Sequence, residues 1–210
     1  MIAMADTSAA EDRLDKRRFA IVESARVLFL EQGYDQTTLA DVVNRAGGSL
    51  ATLYKLFGNK EGLLLAVVRG QAESGADIVV QAAASALSPG ETLYTIGARL
   101  HDRFLHPDNM ALLRVVIARS LTDPEFARNF YQQTMGNTLT ELERLFERWQ
   151  AQGIHLTGTP GELAETFLAL MVYDFQIATI SHCPRRSLDP EGLRCRIAFF
   201  CRGVGLLSGK

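Results

Sequence analysis

The sequence predicts an all-α protein, and three observations carry that prediction. Apolar residues recur at helical spacing, as in Leu163, Phe167 and Leu170. Helix-start signals repeat along the chain: Thr38 with Asp41 three residues on, Asp123-Pro124-Glu125, Thr159-Pro160-Gly161-Glu162 and Asp189-Pro190-Glu191. Between them no stretch alternates apolar and polar residues as a half-buried strand would. About nine or ten helices result. A chain of 210 residues with 47% hydrophobic content can bury the core of one or two small domains.

From the N-terminus, residues 1–12 are small and polar and read as a disordered arm. Residues 13–32 form the first helix, with Phe19, Val22, Ala25, Leu28 and Phe29 on its inner side and Gly33 at its end. The segment 37–60, TTLADVVNRAGGSLATLYKLFGNK, is the most informative in the chain. Thr38 and Asp41 make a capping-box pattern, and Leu39, Val42 and Val43 give the short helix that follows an apolar face. Gly47 and Gly48 supply positive φ for a sharp turn. Ser49 caps a second short helix, 50–56, in which Leu53 packs back with Phe57 while Thr52, Tyr54 and Lys55 point elsewhere. Asn59 caps a third helix. Two short helices joined by a tight glycine turn have the shape of a helix-turn-helix that enters a major groove of double-stranded DNA.

The contacts divide by chemistry. Thr38, Ser49, Tyr54 and Lys60 are expected to hold phosphates, through hydroxyls, helix-start amides and one ammonium. Thr52 and Lys55, with the backbone-close Leu50 and Ala51, are expected to face base edges.

These residues carry a resemblance. AGGS at 46–49, ATLY at 51–54, KLF at 55–57 and NKEGL at 59–63 are similar to the "aGvs", "gTlY", "yF" and "sKe.L" pattern of the TetR/AcrR family of bacterial transcriptional regulators. The match spans about fifty residues. Gly48 stands where the family usually has Val, which removes an apolar contact worth roughly 1–3 kcal/mol. Leu56 replaces the usual Tyr or His. The resemblance implies a helix-turn-helix domain over 13–62 and a helical effector-binding and dimerisation domain over 63–210. It also implies a repressor that binds a palindromic operator as a homodimer and is released by a small hydrophobic effector.

Beyond the motif, residues 60–86 read as one long helix, stopped by Ser88-Pro89-Gly90. Helices over 91–105 and 109–120 follow, separated by His106-Pro107. Another starts at Asp123 and extends to Gln152, with a kink expected at Gly136. The helix 160–181 is apolar on two faces, which requires two partners. Leu168, Val172 and Phe175 on its far side, with Ile197, Phe200 and Val204 on the last helix, are the candidate dimer interface, an isologous four-helix arrangement. The alternative is a helix buried centrally in a monomer. The same helix is the best membrane candidate, but Asp174 at its centre and Gln176, Thr179, Ser181 and His182 favour burial in a soluble protein.

Phe104, Ile117, Phe130, Phe167 and Met171 are candidate walls of an effector site for an apolar or aromatic molecule. Residues 112–132 resemble the C-terminal domains of family members associated with multidrug efflux operons. Asp174 has two readings: a counterion for a cationic ligand, or a partner of Arg185, Arg194 or Arg196 or of the second subunit.

Net charge is −2, yet residues 13–60 hold eight Lys/Arg against five acids, which suits a protein that touches phosphates with one end only. Cys183, Cys195 and Cys201 have no metal-ligand spacing and are expected to be structural. No catalytic or cofactor motif occurs, and His101, His106, His155 and His182 are scattered, so neither catalysis, a metal nor a cofactor is expected. No secretory signal is present, which points to the cytoplasm. The rival readings are a DNA-binding architectural protein without effector and an all-helical small-molecule enzyme.

Overall fold

The computed structural model describes residues 3–70, 73–181 and 190–206, with side chains from Arg13 onward. The described residues are helical apart from short connections, and the chain divides into two compact units, Met1–Ala72 and Glu73–Lys210.

The first unit holds α1 (Ala3–Glu31), α2 (Leu39–Ala46), α3 (Leu50–Phe57) and α4 (Lys60–Arg69). Its core is Ile21, Ala25 and Phe29 of α1 against Val42, Leu53, Phe57, Leu63 and Val67. Two expectations change here. The helix begins at Ala3, so residues 3–12 are helical rather than a disordered arm; no Gly or Pro interrupts them, and their alanines are strong helix formers. Phe19, expected inside, is 65% exposed, and Ile21 is buried instead. Residues 13–19 are all exposed, so core packing begins only near Ala20.

The expected long helix from Lys60 is two helices. Gly70 ends α4, donating its N–H to the Ala66 carbonyl at 2.7 Å. A side chain there would crowd the Ala66 oxygen and Val22. The next helix, α5 (Gly75–Ala83), has its own capping box: Ser74 N–H donates to Asp77 Oδ2 at 2.9 Å, and Asp77 N–H to Ser74 Oγ at 3.1 Å. With α4 packed on α1 through Leu63, Leu64 and Val67, the first unit extends to Ala72 rather than residue 62.

The second unit continues with α6 (Pro89–Leu105), α7 (Pro107–Thr122), α8 (Pro124–Tyr131), α9 (Asn137–Ala151), α10 (Pro160–Ser181) and α11 (Pro190–Gly203). Asp123 and Thr159 cap α8 and α10 as their sequences specify, and Ser88, expected only to stop the preceding helix, caps α6, which begins at Pro89 rather than 91. Asp189, the expected cap of α11, lies outside the described residues. The kink expected at Gly136 is a single π-helical turn over Gln132–Gly136. The Thr134 and Thr138 hydroxyls donate there to the Phe130 and Thr134 carbonyls at 2.6 and 3.0 Å.

Helix α10 packs on α9, α6 and α7, and both of its apolar faces are covered within the chain. The candidate interface residues lie on covered faces. Leu168, Val172, Phe175, Ile197, Phe200 and Val204 are all buried in a single subunit. Phe200 meets Phe167 and Phe146 at ring separations of 5.3 and 6.2 Å, and Phe175 stacks on Phe104 at 4.8 Å. The apolar groups these helices leave in solvent are Tyr173 and Ile180 on α10 and Phe199 on α11. By length and composition α10 could cross a membrane, but half of its apolar window is buried against other helices. Cys201 is buried, and burial pushes its thiol pKa up; Cys195 is exposed, contrary to expectation, and Cys183 is outside the described residues.

Candidate nucleic-acid interface

The recognition surface is built by caps at each end of two short helices. Thr38 N–H and Oγ donate to Asp41 Oδ2 at 2.8 and 2.7 Å, and Asp41 N–H returns a bond to Thr38 Oγ at 3.1 Å. The Thr38 hydroxyl and then its backbone N–H hold the Asp41 carboxyl below the usual aspartate range. Ser49 Oγ accepts from Thr52 N–H at 3.2 Å and lies 3.1 Å from Thr52 Oγ1. Asn59 accepts from Gly62 N–H at 2.7 Å at the start of α4. Between α2 and α3, Gly47 and Gly48 have φ of 71° and 115°, values that favour glycine.

Leu53 and Phe57 turn inward, which leaves the outer face of α3 uncovered by this unit. That face carries Leu50, Ala51, Tyr54 (52% exposed) and Lys55, with Thr52 half-buried beside Ser49. Exposed leucine and tyrosine on a rigid, capped helix present groups of the kind that meet thymine methyls and phosphates. Lys55 has no hydrogen-bond or ion-pair partner among the described residues, so its ammonium is available. Lys60 is more constrained. Its Nζ donates to the Asp35 carbonyl at 3.3 Å and sits 4.3 Å from the Tyr34 ring centroid. Burial lowers its pKa, with the Asp35 charge opposing. The Thr38 hydroxyl proton is likewise engaged by Asp41, so Thr38 meets a phosphate only by giving up that bond.

The basic residues of α1 do something the sequence reading missed. Arg17 reaches across to the turn, its Nη1 donating to the Gly47 carbonyl at 2.8 Å and lying 3.5 Å from that of Ala46. A Cβ on Gly48 would stand 3.3 Å from the same nitrogen, so Arg17 occupies the space beside Gly48. A cation here also faces the C-terminal end of α2, where carbonyls lack helical partners. Arg18 lies 5.3 Å from the Phe57 ring centroid. The two arginines therefore touch both ends of α3's surroundings, the turn before it and its last residue. Arg45 pairs with Glu31 at 3.0 Å and joins α2 to α1. The signal in the sequence was the Gly-Gly pair, which leaves room for a long side chain from a neighbouring helix.

Three of the effector candidates, Phe104, Phe167 and Met171, belong to one hydrophobic core, and Ile117 and Phe130 lie outside it. Phe104 and Met171 belong to the layer between α6 and α10: Phe104 stacks on Phe175, and a Cβ on Gly97 would stand 2.9 Å from Met171 Sδ. Phe167 lies in the main core against Phe200, Phe130 stacks on Phe126 at 6.3 Å, and Ile117 is half-buried on α7. Asp174 has an internal partner. Arg196 Nη2 donates to its Oδ2 at 2.7 Å and Nη1 to the Leu170 carbonyl at 2.7 Å, the structural one of its two readings.

Known proteins agree with this architecture. Residues 21–67 match the family model described as bacterial regulatory proteins, tetR family, and residues 91–195 match that of the AefR-like transcriptional repressor C-terminal domain. The HTH-type transcriptional repressor AcnR of Corynebacterium glutamicum is 30% identical over 169 residues, 80% of this chain and 84% of that one. A structure of a TetR-family regulator from Mesorhizobium loti superposes with a TM-score of 0.76 at 23% identity, covering 91% of this chain and 98% of that one. NalD, the secondary repressor of the MexAB-OprM multidrug efflux pump in Pseudomonas aeruginosa, superposes with a TM-score of 0.61 at 20% identity, covering 90% and 97%. The chain belongs to the TetR family of bacterial transcriptional regulators, and its helix-turn-helix is the DNA-binding element of a repressor.

Proposed function

We propose that the protein represses transcription as a homodimer on a palindromic operator and leaves the DNA when a small hydrophobic molecule occupies its C-terminal unit. The observation that carries this reading is the outer face of α3: Leu50, Ala51, Tyr54 and Lys55 are exposed on a helix fixed by caps at its ends. Thr38, Ser49, Tyr54 and Lys60 serve the phosphates, and Thr52 and Lys55, with Leu50 and Ala51, face base edges.

Dimerisation is supported by Tyr173 and Ile180 on α10 and Phe199 on α11, large apolar groups left in solvent on two neighbouring elements of the chain order. A second copy of the same surface covers them and supplies the two-fold axis that a palindrome requires. Adjacent recognition helices of such a dimer must enter major grooves one turn apart, about 34–36 Å. A ligand that prefers a subunit arrangement with another spacing releases the operator, by no more than its differential affinity for the two arrangements. The chain crosses between the units once, after Ala72. NalD's role at an efflux pump makes an efflux operon the reading for the regulated genes, in the cytoplasm and without catalysis.

The experiment is selection of bound duplexes from a random pool, followed by release assays with a panel of apolar compounds. An inverted repeat with half-sites one helical turn apart, released by some compounds, supports the reading. A single unrepeated site, or a site that no compound releases, leaves a regulator or architectural protein of another kind.

A further inference from the structure

The layer between α6 and α10 contains two buried polar atoms without hydrogen-bond partners among the described residues, His101 Nε2 and Thr179 Oγ1. Buried polar groups in native proteins are nearly always paired, so each such exception asks for an explanation. Thr179 is only 1% exposed, and the His101 side chain is mostly buried, with Nδ1 3.7 Å from the exposed Asp102. Position places them on facing surfaces. His101 shares the α6 stripe of Gly97 and Phe104, at helical offsets of four and three residues. Gly97 meets Met171 and Phe104 stacks on Phe175, and Thr179 follows Phe175 by one turn on α10. Phe104 is half-buried, so the layer reaches solvent at that ring.

Several charged groups around this layer already have partners within the chain. Asp174 is held by Arg196, Arg114 Nε donates to the Thr179 carbonyl at 3.2 Å, and Arg99 is bound by Glu73 and by Gln81. Arg103 is flanked by Glu73 and Asp77. A charged guest would bring its charge into an apolar layer at a desolvation cost. The two unmatched atoms are an imidazole nitrogen and a hydroxyl oxygen. A hydroxyl both donates and accepts, so it suits either tautomer of His101 and the threonine hydroxyl as well. We propose that this layer binds an uncharged, largely apolar molecule that carries a hydroxyl group, with His101 and Thr179 as its polar contacts and Phe104, Met171 and Phe175 as its apolar ones. The inference rests on the effector binding proposed above and names the class of effector.

The test uses the full chain and four probes of one size: 2-naphthol, 2-methylnaphthalene, 2-naphthoate and N-methylquinolinium. Affinities are measured by calorimetry, separately from release of the selected operator. 2-Naphthol is expected to bind about tenfold more tightly than the other three, the advantage of a well-made hydrogen bond in a buried site. Thr179→Val and His101→Phe should each bring that advantage below threefold while 2-methylnaphthalene binding stays unchanged. Both replace an unpartnered buried polar group by an apolar one, so helicity and melting temperature should hold, and either variant alone decides the point. Equal binding of 2-methylnaphthalene or of an ion, an advantage that survives in the variants, or no binding of any probe overturns the inference. If 2-naphthol binds as described yet leaves the operator complex intact, the ligand class stands and ligand-controlled release fails. If other compounds release the operator while 2-naphthol shows no preference, the release stands and the ligand class fails.

Discussion

Replacing Arg17 by alanine separates a positioning role from a phosphate contact. The bond from Nη1 to the Gly47 carbonyl is 2.8 Å and charge-assisted, but it lies in solvent. A buried bond to a charged group is worth about 1.5–3 kcal/mol, and solvent exposure reduces such terms to about 0.2–1 kcal/mol. The cation's position at the C-terminal end of α2 adds about 0.3–1 kcal/mol. The sum is about 1 kcal/mol, which lowers the melting temperature of a chain this size by roughly 2–4 °C. The larger effect falls on recognition. Without Arg17, Gly47 and Gly48 regain part of the backbone freedom that costs about 1–2 kcal/mol per residue to fix; a partial regain of about 1.4 kcal/mol lowers affinity for the selected operator about tenfold. Binding to unrelated DNA should hardly change, because no phosphate contact is lost. Titrations across a range of salt concentrations decide it. Each lost phosphate contact flattens the salt dependence by about 0.9 in slope, whereas a positioning residue leaves the slope within half a unit. Arg17→Lys, which keeps a donor for the carbonyl, should recover much of the affinity. A slope that falls by a full unit per subunit, with specific and unrelated DNA weakened alike, refutes the clamp.

Three further outcomes are expected. Lys60→Ala should weaken binding evenly across sequences and flatten the salt dependence by about one unit of slope, whereas Lys55→Ala should relax preference at one or two positions of each half-site in a repeated selection. Phe199→Glu or Ile180→Glu should yield a folded monomer by sedimentation that no longer holds the operator, because these groups are exposed, while Phe200→Glu should unfold the second unit by burying an unpaired charge at a cost of several kcal/mol. Asp77 is held below the usual aspartate range by the Ser74 hydroxyl and backbone N–H. Its cap therefore contributes stability above the unfolded value, about 3.9, which is lost as pH falls toward the depressed folded value. Asp77→Asn should lower the melting temperature at neutral pH and shrink its fall between pH 5 and 3, and an unchanged acid limb would place that stability elsewhere.

The parts of this molecule that a reader of the sequence can see are those fixed by neighbours in the chain. Thr38 with Asp41, Ser49 before Leu50, Asp123 before Pro124 and Thr159 with Glu162 each bring donor and acceptor within three residues, so the pattern and the geometry coincide. The break after Arg69 was also local, since Gly70 and the Ser74–Asp77 box announce it. It was hidden by an apolar spacing that continues through Leu63, Val67, Ile78 and Ala82 on both sides. Periodicity reports which residues are buried, not whether one helix or two bury them. Phe19 fails for the opposite reason. Its spacing from Val22 is helical, but where the neighbouring helices stop is a tertiary fact.

Helix α10 shows where pattern reasoning ends and why. Apolar residues surround most of its circumference, so spacing alone gives two equivalent stripes and no means of choosing the one that meets another subunit. Packing makes the choice. The stripe of Leu168, Val172 and Phe175 is consumed by the chain itself, and the ring of Phe104 completes its cover. What remains outside is amphipathic, Tyr173, Gln176 and Ile180, a composition that tolerates water before assembly and still buries apolar area after it. In the proposed dimer a fully apolar stripe would be the poorer interface, because it would expose more apolar area before assembly. The same economy appears in the ion pair of Asp174 and Arg196. A charge in mid-helix looks like a ligand anchor in sequence, yet Arg196 matches it internally, and His101 Nε2 and Thr179 Oγ1 are among the buried polar atoms left unpaired in the described residues of the second unit. Under the proposed function, recognition in both units falls to residues whose partners lie outside the chain: Lys55 and Tyr54 at the DNA, and an imidazole and a hydroxyl within the helices.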